Sequence, residues 1–128
     1  MYGFDIGFLY LRVDSVTGLR KEKMDLLRGT LDLLILRTLE LQPLHGIAIS
    51  DRIRQLTRGS FNIQAGSLFP ALHRLERQRW IAGVWTLNEG ARRIKSYKIT
   101  PAGKKQLTEE RRVWDRIVEA VTQVLDAN

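Results

Sequence analysis

The sequence predicts a mainly α-helical fold with one small β-hairpin (α+β): three short helices, the hairpin, then a long C-terminal helix. Apolar residues recur at helical spacing in three segments between residues 30 and 77. A period-two pattern replaces that spacing over residues 81–87 and 94–100, on either side of the turn sequence Asn88-Glu89-Gly90-Ala91. Beyond Pro101 a heptad-like apolar series runs to Leu125.

Each element has a local reason. Thr30 has the side chain of an N-cap, and Asp32 puts negative charge in the positive first turn that follows. Leu31, Leu34, Ile35, Leu36, Leu39 and Leu41 make this helix apolar almost all round, so it belongs in a core or an interface. Pro43 stops it, because the residue before a proline is pushed out of the helical region. A second helix starts at His45 or Gly46, repeats Ile49, Ile53 and Leu56, and ends near Thr57 with Gly59 as terminator. In the third, Leu68, Leu72 and Leu75 share one face at i, i+4 and i+7, while Ser67, Arg74 and Arg77 project from others. Ser67 is expected as its N-cap, which places Pro70 in the first turn, where backbone N–H groups have no intrahelical partner. A start at Gln64 would strain the helix at Pro70. The hairpin return arm carries Arg92, Arg93, Lys95 and Lys98, and Thr100-Pro101 supplies an N-cap and a first-position proline for the last helix. There Leu107, Trp114, Val118, Val121 and Leu125 form an a/d seam with Arg111 as its polar interruption. A seam this short cannot stand alone.

Charge narrows the function classes. The 128 residues make one domain-sized chain with a net charge of +7. From Arg52 to Lys105, twelve Lys or Arg oppose only Glu76 and Glu89, whereas the flanks hold nine basic and twelve acidic residues. The cationic surface is thus confined to the middle of the chain, which suits a polyanionic partner without saying whether it is DNA, RNA or an acidic membrane. Zero cysteines remove disulfides, thiolate chemistry and zinc ribbons and fit a cytoplasmic location. No apolar run is long enough to span a bilayer, and residues 7–11 make a poor signal peptide.

The stretch Gly66-Ser67-Leu68-Phe69-Pro70-Ala71-Leu72-His73-Arg74-Leu75-Glu76 closely resembles the recognition helix of the PadR family of winged-helix transcriptional regulators, in which a Tyr usually stands where Phe69 stands here. Met24-Asp25-Leu26-Leu27-Arg28-Gly29-Thr30-Leu31 resembles the family's opening, and Leu-His-Gly at 44–46 and Tyr-Lys-Ile-Thr-Pro-Ala-Gly at 97–103 extend the likeness, which covers residues 24–125. The resemblance implies a winged helix-turn-helix over residues 24–100, a C-terminal dimerisation helix over 101–128, and an N-terminal extension over 1–23, poorly ordered, with Met24 as an alternative start. It further implies a homodimeric, sequence-specific repressor on double-stranded DNA, with two recognition helices reading an inverted repeat.

On that reading Gln64, Ser67, Phe69, His73, Arg74, Arg77, Arg92, Arg93 and Lys95 are the DNA-binding candidates. Ser67, His73 and Arg74 are placed to reach base edges, and the wing cations to follow the backbone or minor groove. Without the motif these cations would read as a solvated basic face. Leu107, Trp114, Val118, Val121 and Leu125 are the dimer candidates; in multidrug-responsive relatives an aromatic residue on this helix walls a ligand cavity, which implies a small aromatic effector beside Trp114. A protein-binding module whose basic face meets an acidic partner is the other reading the charge allows. No cofactor or metal is expected, since His45 and His73 stand outside any cluster with metal spacing. Nor is an enzyme: Ser50, Asp51 and His73 have no nucleophile elbow, and no Gly-rich phosphate loop is present.

Overall fold

Leu31, Ile35, Leu36 and Leu39 point from more than one side of a single helix, and the fold buries all four by setting that helix at its centre. The computed structural model describes residues 20–128, with side chains from Gly29 onward. The elements are α1 (Arg20–Leu41), β1 (Leu44–His45), α2 (Gly46–Leu56), α3 (Ala65–Arg77), β2 (Ile81–Leu87), β3 (Arg93–Ile99) and α4 (Pro101–Leu125). α1 packs against α2, α3, β3 and α4. Ile49 and Ile53 of α2, Leu68, Leu72 and Leu75 of α3, Ile81, Tyr97 and Leu107 close the core around it.

Two expected helix starts are corrected. Thr30 is not an N-cap: it is buried inside α1, which runs unbroken from Arg20, because residues 20–28 are mostly good helix formers and Gly29 alone does not stop them. The extension expected over residues 1–23 falls, for 1–19, outside the described residues. α3 begins at Ala65 rather than after Ser67, with Gln64 as N-cap and Pro70 inside the helix. The Gln64 carbonyl accepts the Ser67 and Leu68 N–H groups at 3.0 and 2.9 Å, so the first turn closes ahead of the proline. Pro70 costs the bond to the Gly66 carbonyl, but both residues are exposed, so water can replace the missing donor. Burial of Leu68, Ala71, Leu72 and Leu75 then outweighs one lost backbone bond.

The sheet contains a strand the periodicity did not reveal. β1 has two residues and pairs antiparallel with β3, Leu44 opposite Tyr97 and His45 opposite Ser96, giving the order β1-β3-β2. β2 and β3 form the expected hairpin from Ile81 opposite Ile99 to Leu87 opposite Arg93. Its turn is held by Asn88, whose Oδ1 accepts the N–H groups of Gly90 and Arg92, both at 3.0 Å. The His45 side chain makes no cap bond at the start of α2, although its backbone occupies the cap position.

Both helices of the α2–α3 pair end in a left-handed residue that is not glycine. Arg58 (φ 51°) precedes Gly59 (φ 83°) after α2, and Arg79 (φ 62°) follows α3. Arg79 N–H reaches the Glu76 carbonyl at 2.9 Å and Trp80 N–H the Leu75 carbonyl at 3.1 Å, the paired bonds of a Schellman ending. The left-handed conformation disfavours a residue with a Cβ, while glycine costs more entropy to order. Arg79→Gly is therefore expected to stabilise the protein by about 0.5–1 kcal/mol, read as a higher urea midpoint. A lower midpoint would mean that the Arg79 side chain contributes more than its backbone strain costs.

Candidate nucleic-acid interface

α3 has a wet face and a dry one. Leu68, Ala71, Leu72 and Leu75 face the core; Phe69, His73 and Arg77, four residues apart, form an exposed stripe, with Gln64 and Gly66 exposed at its N-terminal end. Phe69 is half-seated. A Cβ added at Gly46 would lie 2.9 Å from its Cε1, so glycine at the start of α2 lets the ring lie against the backbone while 37% of the residue stays exposed. Ser67 is half-buried in the first turn.

The wing stands beside this stripe and is tied to it. Lys95 Nζ on β3 donates to Glu76 Oε1 on α3 at 2.8 Å and also lies 5.4 Å from the Tyr97 ring. Gly83 makes this possible: a Cβ there would sit 2.3 Å from Lys95 Cε and 3.0 Å from Glu76 Oε2, in the corridor the lysine crosses. The Glu76 hydrogen bond raises the Lys95 pKa above the usual lysine value against the opposing effect of burial. Burial pushes the Tyr97 phenol up, with nearby Lys95 pulling the other way.

Two of the expected DNA-contact residues have carboxylate partners within the chain. Arg74 Nη2 donates to Asp32 Oδ1 of α1, and with side-chain exposures of 24% and 10% the two form an internal strut. Arg74 therefore ties α3 to α1. Lys95 is similarly engaged by Glu76. His73, Arg77, Arg92 and Arg93 remain exposed, and none of the three arginines has a carboxylate partner among the described residues. Trp85, a strand residue not among the interface candidates, lies on the wing with the Arg93 guanidinium carbon 4.7 Å from its ring centroid. Counting register outward from the turn would have found it, because Trp85 pairs directly with Lys95.

The expected dimer residues divide. Leu107 is buried in the domain core and is withdrawn from any seam between copies. Trp114 is half-buried and lines a shallow, mainly apolar cleft between α1 and α4 with Gly29, Leu33, Val113 and Ile117. Val118, Val121 and Leu125 are exposed along the rest of α4. Among the described residues no group of His, Asp or Glu could hold a metal ion, and no helix is long and apolar enough to cross a membrane.

A helix pair that presents an exposed stripe of its second helix, flanked by a cationic hairpin tied to that helix, is a winged helix-turn-helix. The PadR-like transcriptional regulator family model matches residues 35–109, and the chain belongs to that family, whose members are regulators rather than enzymes. It is 33% identical over 100 residues to an uncharacterised protein of Lysinibacillus sphaericus, spanning 77% of this chain and 91% of the relative. A transcriptional regulator from Clostridium thermocellum superposes with a TM-score of 0.71 at 29% identity, covering 77% of this chain and 96% of that one. A PadR family regulator from Eggerthella lenta gives 0.68 at 31% identity, with 86% and 94% covered. The protein is thus a DNA-binding transcriptional regulator of the winged-helix type.

Proposed function

We propose that the protein acts as a homodimeric repressor on an inverted-repeat operator in double-stranded DNA, with a small aromatic effector at Trp114 relieving repression. The observation that carries DNA reading is the exposed Phe69, His73 and Arg77 stripe beside the exposed cations Arg92 and Arg93, which have no carboxylate partner among the described residues. The exposed apolar run Val118, Val121 and Leu125 supports a second copy packed along α4, since an open stripe of this kind on a helix favours burial. The aromatic wall of the cleft at Trp114 supports the effector, and repression rests on the family likeness. Residues 24–100 form the reading unit in this scheme and 101–128 the dimerising one, with Gly103 and Leu107 anchoring the start of α4 in the reading unit.

Affinity then comes largely from cations that displace counterions at phosphates, and specificity from α3. In gel shifts with DNA from upstream of the protein's own gene, binding is expected to be sequence-selective and steeply salt-dependent. Arg92→Ala should weaken every sequence alike and reduce the slope of log affinity against log salt by about one. His73→Ala should change which sequences are preferred. Equal binding to all sequences at moderate salt would favour an acidic protein partner instead.

A further inference from the structure

Trp85 is 55% exposed, so its indole gains little of the stabilisation that burial would give. It has a cation on its face instead. Trp85 lies opposite Lys95 and Leu87 opposite Arg93, so the four side chains share one face of the hairpin and Arg93 is the diagonal neighbour of the indole. The Arg93 guanidinium carbon sits 4.7 Å from the ring centroid; Lys95 Nζ is farther, at 5.8 Å, and is already bound to Glu76. Of the two cations on this face, one anchors the wing to α3 and the other is stacked with no carboxylate partner among the described residues.

We propose that Trp85 is a positioning residue that holds Arg93 as a preformed probe of the DNA minor groove, giving the protein a preference for A·T base pairs flanking the sequence read by α3. The inference rests on the DNA-binding reading above. Stacking takes only the face of the guanidinium and leaves its edge N–H donors available to acceptors on the groove floor. A planar group already ordered on a ring loses less freedom on insertion than a loose side chain does. Narrow A·T-rich minor grooves concentrate negative potential and attract an inserted arginine, whereas the guanine 2-amino group crowds the floor of a G·C groove. A phosphate contact needs no such orientation and is open to Arg92 and Lys98 on the same arm, both exposed. The net positive middle of the chain supplies the charge complementarity for a duplex on this face.

The test has two stages with the full chain. The wild type and Trp85→Ala each select from a random duplex pool, and affinities are then measured on the selected core with A·T, G·C or inosine·C flanks. Inosine lacks the 2-amino group and so gives an A·T-like minor groove beneath a guanine-like major groove. The wild type should prefer A·T and inosine·C flanks to G·C by roughly fivefold. Trp85→Ala should select the same core while that ratio falls below about twofold, and Trp85→Phe should fall between. If Trp85→Ala does not fold, Arg93→Lys reads the same ratio, because it keeps the charge and loses the planar fork. Equal weakening on all three flanks, or a wild type indifferent to them, overturns the proposal. A wild type that selects no core overturns the DNA-binding reading itself and this inference with it.

Discussion

Gly103→Ala is expected to lower the thermal midpoint by roughly 10–15 °C, about 3 kcal/mol for a chain of this length. Helix propensity alone predicts the reverse, a gain of about 1 kcal/mol for alanine over glycine inside a helix. Packing decides the sign. Gly103 lies in the first turn of α4, where its N–H donates to the capping Thr100 Oγ1 at 3.0 Å. A Cβ there would sit 2.0 Å from the Trp80 carbonyl oxygen, 2.9 Å from the carbonyl carbon and 2.8 Å from Ile99 Cγ1. The Trp80 carbonyl cannot swing aside cheaply, since it accepts the Thr100 N–H at 3.0 Å while the Thr100 hydroxyl donates to the Arg79 carbonyl at 2.7 Å. Relief therefore means opening the joint between the end of α3, the wing and α4. Scanning calorimetry of the full chain measures it, and an unchanged or raised midpoint would show that α4 can shift outward without loss.

The parts read correctly from sequence are those with local causes. Thr100 and Pro101 carry the start of α4 in their own chemistry, and alternation around Asn88-Glu89-Gly90-Ala91 gives the hairpin strand by strand. Apart from the start of α1, what escaped depends on distant neighbours. β1 is two residues with no period of their own, made a strand only by β3, some fifty positions away. Leu107 belongs to the same heptad series as Trp114, but a periodic pattern cannot say where a helix leaves its own core and meets solvent. Pro70 argued for a late start to α3, and the burial of Leu68 and Ala71 overrode it. Of the interface, helical projection set Arg77 and Arg74 alike off the apolar face, yet Arg77 is exposed while Arg74, like Lys95 on β3, ends on a carboxylate of another element, which spacing along one element does not encode.

Arg74 gives that difference an energetic consequence. A base-reading arginine and a structural one fail in opposite ways, so Arg74→Ala separates them. The guanidinium pairs with Asp32, 42 residues earlier, at a contact where the carboxylate is nearly enclosed and the arginine about three-quarters so. Removing one partner of a fully buried pair costs about 3–5 kcal/mol, and an exposed pair contributes about 0–1 kcal/mol. Partial exposure places this one between, so Arg74→Ala is expected to lose about 2 kcal/mol in urea denaturation. Arg74→Lys should recover part of it, since it restores the charge without the planar geometry. The core sequence selected from random DNA should stay the same in both variants, with affinity falling only as the folded fraction does. His73→Ala, one residue away on the exposed stripe, should do the converse: stability within about 0.5 kcal/mol of wild type and an altered core sequence. An Arg74→Ala protein of normal stability that selects a new core would mean the arginine leaves Asp32 for a base when DNA binds, and α3 would then regain the contact its sequence suggests.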